Sequence, residues 1–112
     1  MRFKIDKKEL EKALTIITEE QNETMPILMS VIITVENNKT VRFTLSNSEN
    51  NLETMVDCTV IPEDLEDGAV VVDFRKLLNI VKVLPDVELE IFTEGDKFIM
   101  QYTVKIFYFM QI

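Results

Sequence analysis

Apolar and polar positions alternate at the start of the chain, with Phe3 and Ile5 apolar, and the period then lengthens. Leu10, Ala13, Leu14 and Ile17 follow at i, i+3, i+4, i+7, the spacing of one face of a helix. The same change of period returns 67 positions later: Val70 and Val72 alternate, and Leu77, Ile80, Val81 and Leu84 take the helical spacing. Asp6 and Asp73 stand where each helix begins, and Glu9 completes a capping-box pattern after Asp6. Strand-like runs follow each helix. In the first half they are 28–36, 40–46 and 52–60, with Asn37-Asn38 as a hairpin turn and 46–51 as a bend. In the second half they are 87–92, 97–102 and 104–110, with a turn at Glu94-Gly95-Asp96. The pattern predicts a β-α-β-β-β unit used twice, over 1–60 and 69–112, in a single α+β domain. The stretch 61–68, with its acidic run Glu63 to Asp67, reads as the connector between copies. Only Pro85-Asp86 links the second helix to its next strand. The corresponding stretch in the first copy, 21–27, is a longer elaboration.

Charge changes this picture by its location. The 112 residues carry a net charge of -8, which argues against coating nucleic acid with the whole surface. Between Asp73 and Leu84, however, Arg75, Lys76 and Lys82 stand against one acid, so this segment is +2 and the rest of the chain -10. On a helical wheel Leu77, Ile80, Val81 and Leu84 share one side, and Arg75, Asn79 and Lys82 the other, with Lys76 on the flank. The first helix carries Lys7, Lys8 and Lys12, interspersed with Glu9, Glu11, Glu19 and Glu20. An outward basic helix on an acidic body is a local attractor for phosphate.

Evidence for chemistry is lacking. Histidine is absent, which removes the commonest general base and metal ligand. The two glycines, Gly68 and Gly95, each fall in a predicted turn and form no phosphate loop. The run Glu63–Asp67 lacks the alternating oxygen ligands and central glycine of a calcium loop. Cys58 sits in an alternating run, as a packing residue does. The expectation is a protein without catalysis, cofactor or metal. No apolar stretch approaches the ~20 residues that span a bilayer. With no signal-peptide core after Met1-Arg2-Phe3-Lys4 and one cysteine, the expected setting is cytoplasmic and free of membrane.

The last predicted strand is apolar on both faces, with Val104, Ile106, Tyr108 and Met110 on one and Phe107 and Phe109 on the other. Such a strand is covered on both sides or forms a contact surface, and the reading here is an intermolecular or interdomain contact.

The order of these features resembles the bacterial DNA sliding clamp family, the beta subunit of DNA polymerase III. Met1-Arg2-Phe3-Lys4-Ile5 before a helix is similar to the family's amino terminus. Met25-Pro26-Ile27-Leu28 is close to its Leu-Pro-Ile-Leu signature, and Leu45-Ser46-Asn47-Ser48-Glu49 resembles its Leu-Thr-Ala-Thr-Asp turn. Val70 through Pro85 resembles its second helix unit, and Phe107 falls at the Phe of its final strand. The resemblance covers the first of the family's three domains. It implies a DNA-clamp fold, with the two helices packed on antiparallel sheet and lining a hole that holds double-stranded DNA. By position the DNA-contacting residues would be Lys7, Lys8, Lys12, Arg75, Lys76 and Lys82. Ile106, Phe107 and Phe109 would form the interface that closes the ring. The implied function is that of a processivity factor for the replicative polymerase. Implied partners are the polymerase, the clamp loader, and further clamp domains or copies of this chain. Either an isolated first domain or a ring of single domains fits the length. Two segments depart from the family. The loop Glu19-Glu20-Gln21-Asn22-Glu23-Thr24 is acidic and would repel phosphate. The hairpin Tyr102-Thr103-Val104-Lys105-Ile106-Phe107 lacks the family's glycine and two of its basic positions. These departures leave an alternative function, a clamp-like module that binds replication proteins without encircling DNA.

Overall fold

The computed structural model describes residues 1–20, 30–36, 40–47, 52–64 and 68–112, without the side chains of 19, 20, 36, 46, 47, 52–59 and 61–64. The expected link 21–27, the Met25–Leu28 motif, the Asn37-Asn38 turn and positions 65–67 of the acidic run lie outside the described residues. The elements are β1 (Arg2–Asp6), α1 (Lys7–Glu20), β2 (Ser30–Glu36), β3 (Thr40–Asn47), β4 (Leu52–Thr59), β5 (Ile61–Asp64), β6 (Gly68–Asp73), α2 (Phe74–Val83), β7 (Glu88–Glu94), β8 (Lys97–Tyr102) and β9 (Lys105–Met110).

Two antiparallel sheets contain the strands, in the orders β5-β1-β7-β8-β9 and β4-β3-β2-β6. The repeats exchange their first strands. β1 pairs with β7 of the second copy, Phe3 opposite Ile91 and Ile5 opposite Leu89. β6 pairs with β2 of the first copy, Val70 opposite Ile33 and Val72 opposite Val31. These four pairs place matching positions of the two copies at matching registers. A strand with period-two apolar positions buries that face only when its neighbour's register agrees. All eight side chains are buried.

One expectation is corrected here. The stretch 61–68 is not simply a connector, because Ile61–Asp64 forms β5 and pairs antiparallel with β1. Its four residues include Pro62 opposite Phe3. A proline donates no ladder hydrogen bond, and its place on a short edge strand is the one a sheet tolerates.

Leu10, Ala13, Leu14 and Ile17 of α1 are buried, as their spacing requires. On α2 the buried stripe is Phe74, Leu77, Leu78 and Val81, with Ile80 only partly covered. The stripe therefore sits rotated from the expected one, because Phe74 opens the helix with its ring fully in the core. Buried residues from both repeats, both helices and both sheets form one cluster.

β9 also departs from expectation. Phe109 is 1% exposed and meets the Phe98 ring edge-on, with centroids 5.6 Å apart. Phe107 packs partly buried against the same core. This chain covers the Phe107 and Phe109 face itself, so Phe109 is a core residue and is not available as an interface residue. Replacing Phe109 by Ala should cost about 3–5 kcal/mol of folding stability. Urea denaturation reads this directly, and a loss below about 1 kcal/mol would contradict a core role.

Candidate functional site

α1 lies beside α2, and also packs on β3 and β4, while α2 packs on β2 and β6. The helices are thus neighbours over one sheet. Their entry is set locally. The Lys7 backbone N–H, at the start of α1, donates to the Val87 carbonyl at 2.9 Å, tying α1 to the link after α2. Asp73, with extended backbone, accepts from the Lys76 N–H at 2.9 Å and caps α2. A carboxylate at this position satisfies an orphan donor and opposes the positive helix end. At the other end Leu84 leaves the helix and Pro85 cannot continue it.

Lys8, Lys12, Arg75, Lys76 and Lys82 are exposed. Lys7, Lys8 and Lys12 line one hollow of about 440 Å³ together with Glu11, Thr15 and Asp86. Among the described residues, Lys7 and Lys8 have acidic partners. Lys7 pairs with Glu11 one turn along α1 and is largely covered. Lys8 reaches Asp86 at 3.5 Å, with both side chains well exposed. Exposed pairs of this kind contribute about 0–1 kcal/mol, so Lys8 is readily redirected to another anion. The Lys7–Glu11 pair has the i, i+4 spacing and is legible in the sequence. The Lys8–Asp86 pair is not, because it depends on the α2 link lying beside the start of α1.

Lys76 goes elsewhere. Its Nζ donates to the Tyr108 carbonyl at 2.9 Å and sits 4.7 Å from the Phe109 ring centroid. The structure therefore gathers the α1 lysines around one hollow and turns Lys76 from the start of α2 toward β9.

Ile106 is exposed, as are Val104, Tyr108 and Met110. The outward strip of β9 is thus Ile106, Tyr108 and Met110, and of the three expected interface residues only Ile106 belongs to it. Among the described residues no group of acidic or cysteine side chains is arranged to hold a metal ion. No helix among them is long and apolar enough to cross a membrane.

The family described as DNA polymerase III beta subunit, N-terminal domain, matches residues 1–106. The beta sliding clamp of Pseudomonas aeruginosa is 33% identical over 105 residues, which cover 90% of this chain and 27% of that protein. The crystal structure of the DNA polymerase III subunit beta from Pseudomonas aeruginosa superposes with a TM-score of 0.81 at 27% identity, over 100% of this chain and 30% of the other. A Helicobacter pylori beta clamp bound to a DNA ligase peptide has a TM-score of 0.82 at 18% identity, covering 100% of this chain and 31% of its own, a likeness of fold. The chain thus spans under a third of the length of these relatives.

The cap that starts α2 is testable. Asp73→Ala should lower stability by about 1 kcal/mol and leave the fold intact, measured as a shift of the chemical unfolding midpoint. No shift would mean that the Asp73 carboxylate does not hold the helix end.

Proposed function

The chain belongs to the DNA polymerase III beta subunit family, by its N-terminal domain, and on that premise we propose that it acts as a sliding-clamp domain on double-stranded DNA. The observation that carries the reading is the placement of α1 and α2 as neighbours, with Lys8, Lys12, Arg75 and Lys82 exposed on them. Phosphate contacts of this kind carry no sequence information. They hold a protein near duplex DNA while letting it move along the duplex, which a processivity factor requires. The chain's role is then topological and electrostatic, as a non-catalytic accessory part of a replicative polymerase in the cytoplasm. The polymerase, its clamp loader and further clamp domains are its partners. Lys7, paired with Glu11 and largely covered, contributes less to the DNA face than the exposed cations, and Lys76 is directed toward β9.

A second reading is a clamp-like module that binds replication proteins without encircling DNA. It is favoured by the pairing of Lys7 and Lys8 with acids and by the turn of Lys76 toward β9, on a chain of net charge -8. Binding to duplex DNA across a salt series separates the two. The wild type should bind at low salt and weaken steeply as salt rises. Arg75→Glu with Lys82→Glu should reduce affinity at least about tenfold and flatten the log–log salt slope by about 1.8, two phosphate contacts' worth. Its thermal unfolding should stay close to wild type. Unchanged binding by the double variant removes α2 from the DNA face, and a wild type that fails to bind at low salt leaves the second reading.

A further inference from the structure

We propose that Asp86 is a built-in counter-charge on the DNA face, competing with backbone phosphate for Lys8 and so weakening the hold of this domain on the duplex. Asp86 lies in the link between α2 and β7, and Lys8 in the first turn of α1. The two come within 3.5 Å, with Lys8 75% and Asp86 59% exposed. Two hollows meet at this pair. One, of about 440 Å³, is lined by the α1 cations Lys7, Lys8 and Lys12 and by Asp86. The other, of about 290 Å³, adds Asp6, Glu9 and Glu88 around the same pair. A phosphate that approaches Lys8 from the first hollow therefore meets the Asp86 carboxylate as well.

An exposed ion pair by itself is a transient obstacle. Here the backbone, and not Lys8, keeps the carboxylate in place. The Lys7 N–H donates to the Val87 carbonyl at 2.9 Å, which fixes the residue after Asp86 to the residue before Lys8. On the other side Pro85 has its φ set by its own ring. When Lys8 swings toward another anion, the negative charge stays beside it, within the ~8 Å over which charges interact at physiological salt. Both groups stand in water, so the opposition is modest and does not withdraw Lys8 from the face. Partial opposition suits a protein that stays near DNA and still moves along it. Asp86 has this role only where α1 and α2 form the DNA face proposed above.

Binding of the full 112-residue chain to a short duplex across a salt series tests it. Asp86→Asn should bind about three- to fivefold more tightly than wild type at low salt. Its log–log salt slope should be steeper by about 0.9, one phosphate contact's worth, so the gain fades as salt rises. Asp86→Glu should return affinity close to wild type. Lys8→Gln combined with Asp86→Asn should erase the gain. Glu94→Gln removes the same charge from an exposed site at the far end of β7, and should change affinity by less than about twofold. Circular dichroism melts establish that each variant folds, and Asp86→Ser is read in place of Asp86→Asn if that one melts early. Asp86→Asn binding no more tightly than wild type overturns the inference. So does a gain that survives Lys8→Gln, or one that Glu94→Gln matches. If neither wild type nor Asp86→Asn binds at low salt, the DNA face itself falls and this role with it. A wild type that binds, with no gain from Asp86→Asn, removes the role of Asp86 alone.

Discussion

The pairing of each repeat's first strand with the other repeat's sheet is the constraint from which the rest of the structure follows. β1 completes the sheet of β7, β8 and β9, and β6 completes the sheet of β2, β3 and β4. Neither repeat therefore has a finished sheet of its own, and the apolar faces of both must be buried together. Each helix follows directly on an exchanged strand. α1 leaves β1 in one sheet and α2 leaves β6 in the other, yet they meet over β4, β3, β2 and β6. A single core shared by both repeats results, in which Phe3, Phe43, Phe74, Phe98 and Phe109 are all fully buried. Close packing of so many rings leaves little room for independent motion of the two halves.

The electrostatic character of the molecule comes from where charges are held. The chain is acidic in sum, but α2 from Phe74 to Val83 contains three basic residues and no acid. Burial of Phe74, Leu77, Leu78 and Val81 turns Arg75, Asn79 and Lys82 outward. The same burial brings Lys76 within reach of β9, where its ammonium gains both a carbonyl and the face of Phe109. One helix thus divides its cations between a solvent face and a structural contact. On the outer face of the other sheet Arg2 is similarly occupied, bonded to Glu90 at 2.9 Å and stacked 4.1 Å from the Phe92 ring centre. Gln101 donates to that same Glu90 oxygen at 2.8 Å, so the carboxylate joins β1, β7 and β8.

β9 presents two unlike faces. Its inward side supplies Phe109 to the core, and its outward side supplies an apolar strip. The strand is apolar on both faces, and only the inward one is covered within the chain. At the far edge of the same sheet, β5 is short and contains Pro62. The two edges of the sheet therefore differ in kind.

The sequence by itself determined the two helices and most strands, because local periodicity records which face of each element is buried. Phe3, Ile5, Leu10, Ala13, Leu14 and Ile17 needed nothing more than their spacing. The basic face of α2 was legible for the same reason. β5 was not, because four residues of mixed polarity carry too little period to distinguish a strand from a connector. The fate of Phe109 was also hidden. In a strand apolar on both sides, alternation separates the two faces but does not say which one the molecule covers. That choice depends on Phe98 and Lys76, which the chain places 11 and 33 positions before Phe109. Only tertiary structure decided where Lys8 and Lys76 find their partners. Ion pairs such as Lys8 with Asp86 join residues that are far apart in the chain and near in space.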